Sequence, residues 1–142
     1  MPGIRLSRWC SMSSVICCVD VIALYGGELV LIERLTDPKG LALPGGKRES
    51  GEFVPDCAVR EFKEETGLEL EISGTLGVYA EPGRDPRGNY VTTVVVGTAT
   101  GWPKGENKKT KVVLLPLIAA ELASQNMIND HGKILTDWLK TR

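Results

Sequence analysis

The chain has 142 residues, 42% of them apolar and 25% charged, with 17 basic against 18 acidic side chains and a net charge of −1. A chain this long buries roughly 68–70% of its unfolded surface, which fits one domain with a real core and excludes disordered, collagen-like and disulfide-scaffold chains. Near-neutral charge also argues against a broad cationic face that holds nucleic acid.

In chain order, Arg5 and Arg8 precede an apolar run much as the basic region of a signal peptide would. No small-x-small cleavage site follows before the chain reads as a strand, so residues 1–13 are expected to be a peripheral segment of a cytoplasmic protein. The longest apolar run, Val15 to Tyr25, falls short of the ~20 residues a bilayer requires, and Asp20 interrupts it. No membrane span is expected. Cys10, Cys17, Cys18 and Cys57 make no CxxC pair, which suits reduced, mostly buried cytosolic thiols.

Residues 15–25 and 28–34 are β-branched and apolar, and the Gly26-Gly27 link between them suits a type I′ hairpin. Residues 35–54, rich in Gly, Pro and charge, read as a long loop, and a loop of that length in a compact domain usually has a job. Pro55 opens a helix that Gly67 ends in a left-handed conformation. Strands at 70–80 and 90–98 flank the polar turn EPGRDPRGN at 81–89. A short strand at 111–115 is followed by helical segments near 117–125 and 130–141. Asp130 is placed to cap the second, whose Ile134, Leu135, Trp138 and Leu139 share one face. Strands and helices mix without βαβ alternation, so a mixed sheet covered by helices is expected, an α+β arrangement of one domain over 1–142.

The chemistry concentrates in residues 45–68, GGKRESGEFVPDCAVREFKEETGL. On a helix from Pro55, Glu61, Glu64 and Glu65 stand at i, i+3 and i+4 on one face, while Ala58, Val59 and Phe62 take the neighbouring arc and can pack on a sheet. Like charges at this spacing repel by a few tenths of a kcal/mol per pair, and a hard divalent cation reverses that sign. For three glutamates alone, a solvated acidic face offset by Arg60 and Lys63 is the plainer reading. The spacing of the whole stretch decides between them. Gly46, five residues, Glu52, seven residues, then Arg60-Glu61-Phe62-Lys63-Glu64-Glu65-Thr66-Gly67-Leu68 resembles the Nudix box with every fixed position occupied. At average residue usage that coincidence has a probability on the order of 10⁻⁹. The leading hairpin, the LPGG loop at 43–46 and a terminal helix extend the resemblance over nearly the whole chain.

The resemblance implies an α/β/α sandwich with the mixed sheet between helices. It also implies a hydrolase that cleaves a nucleoside diphosphate linked to another group, using Mg²⁺ or Mn²⁺. Carried over position by position, Glu61, Glu64, Glu65 and the carbonyl of Gly45 are the metal ligands. Gly46, Glu52, Arg60 and Gly67 are supporting residues, Arg60 orienting a ligand carboxylate with its rigid fork of donors. Glu64, Glu61 or Glu106 takes the proton of the attacking water.

Residues 81–96 resemble the corresponding loop and strand of ADP-ribose pyrophosphatases. Arg84 and Arg87 then contact phosphate or ribose, and Asp85 fixes the loop or accepts from a sugar hydroxyl; plain turn chemistry is the alternative. Glu106 is the only acid of GENKKTKVV, among lysines that face phosphate or solvent. His131 is expected to pack at or cap a helix start, since no second histidine exists to share an ion. Trp9, Trp102 and Trp138 read as core or interface residues. The expected reaction is ADP-ribose to AMP and ribose 5-phosphate, by a possible homodimer. Hydrolysis of nucleoside triphosphates, oxidised ones included, and a non-catalytic nucleotide-binding domain are the alternatives.

Overall fold

A computed structural model of the chain describes residues 15–142; Trp9, Cys10 and the expected peripheral segment 1–13 lie outside them. Strand β1 (Ile16–Tyr25) turns through Gly26 and Gly27, both at positive φ (55° and 84°), into β2 (Glu28–Arg34), as the hairpin signal predicts. The loop expected over 35–54 carries two three-residue strands, β3 (Gly40–Ala42) and β4 (Gly45–Lys47). Helix α1 (Val54–Thr66) follows, beginning one residue before Pro55. Then come β5 (Glu69–Tyr79), β6 (Tyr90–Thr100) and β7 (Thr110–Leu115). The segment expected to be helical near 117–125 is a broken one: 3₁₀ turns at Leu117–Ala119 and Ser124–Asn126 flank a single α turn, α2 (Ala120–Ala123). The chain ends in α3 (His131–Leu139).

The sheet runs β3-β2-β1-β6-β5, with β4 pairing on β1 and β7 on β2. One detail of this order creates the site. β1 pairs with β2 only at its hairpin end, Leu24↔Leu29 and Tyr25↔Glu28, after which the two strands diverge. The vacated length of β1 is filled by β4, from Cys18↔Lys47 to Asp20↔Gly45, while β1's other edge runs parallel to β6 along its length. A glycine pair is thereby inserted into the middle of the sheet.

Both faces of the central strands are covered, so they read as continuous apolar runs. Val19, Val21 and Ala23 of β1, with Val30 and Val95, pack under Cys57, Ala58 and Phe62 of α1. Ile22, Leu29, Leu31 and Val94 point to the opposite face, under Ala120, Ile134, Leu135 and Trp138. The result is a sandwich of helix, mixed sheet and helix. Among the described residues no helix is long and apolar enough to cross a membrane. Of the described cysteines only Cys57 is buried; Cys17 is exposed and Cys18 half-buried. Trp102 is exposed, so it is not the core residue that was one of the two roles expected of it.

Candidate active site

Helix α1 is fixed at both ends by local chemistry. Pro55 sits in the first turn, where its missing N–H is no loss, and Gly67 at φ 74° closes the last turn by donating its N–H to Lys63 O at 2.9 Å. With Ala58 and Phe62 anchored in the core, Glu61 and Glu65 face β4, and Glu64 lies half-exposed beside them. The Gly45 N–H donates to Glu65 Oε1 at 2.7 Å. A Cβ on Gly46 would run into the Glu61 carboxylate, and one on Gly45 into Val19 O and Asp20 Oδ1. Only glycine lets this backbone lie so close to the helix acids.

Arg60 organises the acids around it. Its Nε and Nη2 donate to the two oxygens of Glu52 at 2.7 and 2.9 Å, its Nη1 donates to Glu61 Oε1 at 2.8 Å, and Glu49 and Glu64 stand at 3.3 and 3.4 Å. This guanidinium holds the Glu52 carboxyl down at about 2. Burial acts the other way on the inner pair. It pushes Glu65 up to about 8, against the Gly45 hydrogen bond and with the help of Glu61 and Asp20. It also raises Glu61, which Arg60 opposes and the charges of Glu64 and Glu106 reinforce. Glu106 sits in the turn before β7, with Lys109 Nζ 3.6 Å from its carboxylate.

A cleft of about 240 Å³ opens from this acidic edge across β4, β1 and β6. Gly45, Gly46, Glu61 and Glu65 line one end, and Arg84, Asp85 and Arg87 line another wall. The 81–89 turn is held by its own side chains. Asp85, buried, accepts from the Arg87 N–H at 2.9 Å and from Arg87 Nη2 at 2.7 Å, and this partner lowers its pKa. The Arg84 side chain is buried too. Its Nε and Nη2 grip Asp130 at 2.7 and 2.8 Å, and its Nη1 donates to Tyr90 O and Thr92 Oγ1. Asp130 therefore stands at the start of α3 without a side-chain cap bond, because its carboxylate is committed to Arg84. Arg87 lies over the Tyr90 ring, 4.9 Å from its centroid, and its Nη1 makes no hydrogen bond within the described residues.

Two residues of the cleft were not singled out as functional in the sequence. Asp20 is buried in its floor, and burial raises its pKa against the pull of His131 and Arg84. A carboxylate inside a buried apolar strand is the signal that marks it, since such a group needs a partner. Its partner is His131, whose Nε2 lies 3.3 Å from Asp20 Oδ2. The Leu43 N–H donates to His131 Nδ1 at 2.9 Å, a bond that requires that nitrogen to be unprotonated. His131 thus packs at a helix start, as its position predicts, and ties the strand-bearing loop to α3.

Among the described residues, no three His, Cys, Asp or Glu side chains close on one point as a ready-made metal cage. Arg60 and the Gly45 amide engage the acids instead. The donor set nonetheless fits a hard divalent ion: clustered carboxylates and a glycine backbone with no side chain in the way.

Comparisons with known proteins bear on the family and the fold. The ADP-ribose pyrophosphatase of Methanocaldococcus jannaschii is 38% identical over 128 residues, 86% of this chain and 72% of that protein. A putative 8-oxo-dGTP diphosphatase of Bacillus subtilis is 39% identical over 62 residues, 44% of this chain and 42% of that protein. The fold superposes on a bifunctional NMN adenylyltransferase/ADP ribose pyrophosphatase from Francisella tularensis, solved with AMP and a manganese ion. That match has a TM-score of 0.76 at 22% identity and covers 97% of this chain and 46% of that one. The model of the NUDIX domain matches residues 17–138, and with the box intact on its helix the chain belongs to the Nudix family.

Proposed function

We propose that this Nudix hydrolase cleaves ADP-ribose to AMP and ribose 5-phosphate with Mg²⁺ or Mn²⁺ at the acidic face of α1. The observation that carries the reading is one continuous cleft, running from Glu61, Glu65 and the Gly45-Gly46 backbone to the basic loop at 84–87. The M. jannaschii relative supports the substrate.

Glu61, Glu64, Glu65 and the Gly45 carbonyl are the groups that would hold the cation. Bound there, it would supply charge to offset the diphosphate, polarise the phosphoryl oxygens and lower the pKa of the attacking water. The protein's own residues do the rest. Arg60 keeps Glu52 and Glu61 in fixed positions, so the helix acids need no rearrangement from solvent. Arg87 offers its unengaged Nη1 to phosphate or ribose. Asp85 fixes that guanidinium, and Arg84 holds the wall to α3 with its remaining surface toward the ligand. Glu106 or Glu64, both reaching solvent, accepts the proton of the water; a positioned base contributes typically 10²–10⁴-fold.

A product screen across nucleotide sugars, dinucleotides and triphosphates, with and without Mg²⁺, tests the reading. AMP and ribose 5-phosphate from ADP-ribose, only with the cation, are expected. Pyrophosphate from a triphosphate with ADP-ribose untouched overturns the substrate assignment and favours the activity for which the B. subtilis relative is named. The same reading takes the enzyme as cytoplasmic and allows a homodimer; light scattering on the purified chain checks the oligomeric state.

A further inference from the structure

The last carbonyls of a helix have no partners within it. In α1 two of them are taken by the segment that leads from β6 into β7. Thr110 Oγ1 donates to Glu65 O at 2.9 Å, and the Lys104 N–H donates to Thr66 O at 2.7 Å. The same Thr110 oxygen accepts from the Glu106 N–H at 2.8 Å. One buried hydroxyl therefore joins the backbone of Glu65 to the backbone of Glu106.

The loop is shaped to make this contact. The N–H groups of Lys109 and Thr110 both donate to Glu106 O, at 2.9 and 3.0 Å, and Lys108 takes a positive φ of 60° to close the turn. A Cβ on Gly105 would strike Thr110 O. Among the described residues the Glu106 carboxylate has only the loose contact with Lys109, at 3.6 Å, so its position is set by the backbone beneath it. That backbone is held by Thr110.

We propose that Thr110 is a positioning residue of the hydrolytic centre, its hydroxyl holding Glu106 at a fixed offset from the glutamates of α1. The proposal rests on the reading that Glu106 works in this site, and adds the residue that places it. Valine has the shape of threonine without the hydroxyl, and would leave Glu65 O and the Glu106 N–H unpaired; serine keeps both bonds.

The test uses the full chain as wild type, Thr110→Val, Thr110→Ser, Glu106→Gln and the Thr110→Val/Glu106→Gln double variant. It measures kcat, KM and the kcat–pH profile for ADP-ribose with Mg²⁺, and amide exchange at Glu106 by NMR. Thr110→Val is expected to lower kcat ~10–100-fold with KM within ~2-fold, and Thr110→Ser to stay within ~3-fold of wild type. The double variant is expected to be no slower than Glu106→Gln alone, and the amide at position 106 to exchange at least ~10-fold faster in the variants that carry Thr110→Val and not in Thr110→Ser. If Thr110→Val does not fold, Thr110→Ala carries the comparison.

A valine variant with faster exchange but wild-type kcat and pH profile overturns the proposal, leaving Thr110 a helix cap. Full activity in Glu106→Gln overturns it by removing the group it positions. If the wild type turns over a triphosphate instead, the substrate reading falls, and the same ratios on that triphosphate decide the proposal. If the wild type hydrolyses nothing in the screen, both fall; a protected Glu106 amide then shows that the function failed and the contact did not.

Discussion

Replacing Glu65 by glutamine should make the protein more stable and almost inactive. The amide has nearly the shape of the carboxyl, and its Oε1 can keep accepting from the Gly45 N–H. What it removes is a buried group that titrates near 8 in the fold against an ordinary value of 4.5. The folded state holds this proton more tightly than the unfolded chain does. Its stabilising effect is therefore complete below pH 4.5 and is lost as pH rises toward 8. At about 1.4 kcal/mol per pH step, the loss by pH 7 is roughly 2–4 kcal/mol. In a chain of this size that is a Tm difference of about 10 °C. Calorimetry of wild type and Glu65→Gln in EDTA should show curves that coincide near pH 4.5 and part steadily up to pH 8, the variant melting higher. The difference between the two curves cancels the titrations of groups far from this residue. A variant that melts at or below wild type at pH 8 refutes the burial argument. In the activity assay kcat should drop at least ~10²-fold, and a fully active variant refutes the assignment of Glu65 to the cation.

Glu64→Gln should also lower kcat by at least ~10²-fold but leave the Tm within about 2 °C, because its side chain is half-exposed and only loosely held by Arg60. Arg60→Ala should let the Glu52 carboxyl climb from about 2 toward its ordinary 4.5, readable by carboxyl NMR titration. It should weaken Mn²⁺ binding and stability while relative rates among substrates hold; a pure change of substrate preference contradicts the supporting role. Arg87→Ala should raise KM for ADP-ribose ~10-fold with kcat nearly unchanged. An unaltered KM would leave Arg87 as a lock for Asp85 alone.

Much of the frame is legible because its signals are local. The Gly26-Gly27 turn, the helix between Pro55 and Gly67 and the acidic face of α1 each depend on residues within a few positions of one another. The two short strands in the 35–54 stretch are not legible in this way. Three residues carry no alternation to detect, and β4 exists only because β2 leaves β1 at Leu24 and exposes an edge to be filled. The same limit applies to side chains whose partners are far off in the chain. Asp130 has the residue type and place of a helix cap, yet Arg84 claims its carboxylate from 46 positions away. Arg84 reads as a ligand contact in a turn; the structure adds that it lines the cleft while binding the turn to α3. Thr110 carries no motif at all; its role is visible only where its hydroxyl meets two backbones.

The two layers of the sandwich meet at Gly45, and this explains why a helical motif needs the rest of the fold. From the α1 side, Glu65 accepts the Gly45 N–H. From the other side, Asp20 closes on the space a Cβ would occupy, and His131 holds Asp20 while binding the Leu43 amide two residues earlier. Both carboxyls are buried and both resist ionisation for that reason. Neither could be kept there by α1 alone, whose exposed face would let its acids spread into water. The glycine strand, inserted where β1 and β2 part, is pressed between an acid from each layer. Burial from both sides favours the neutral form of each acid.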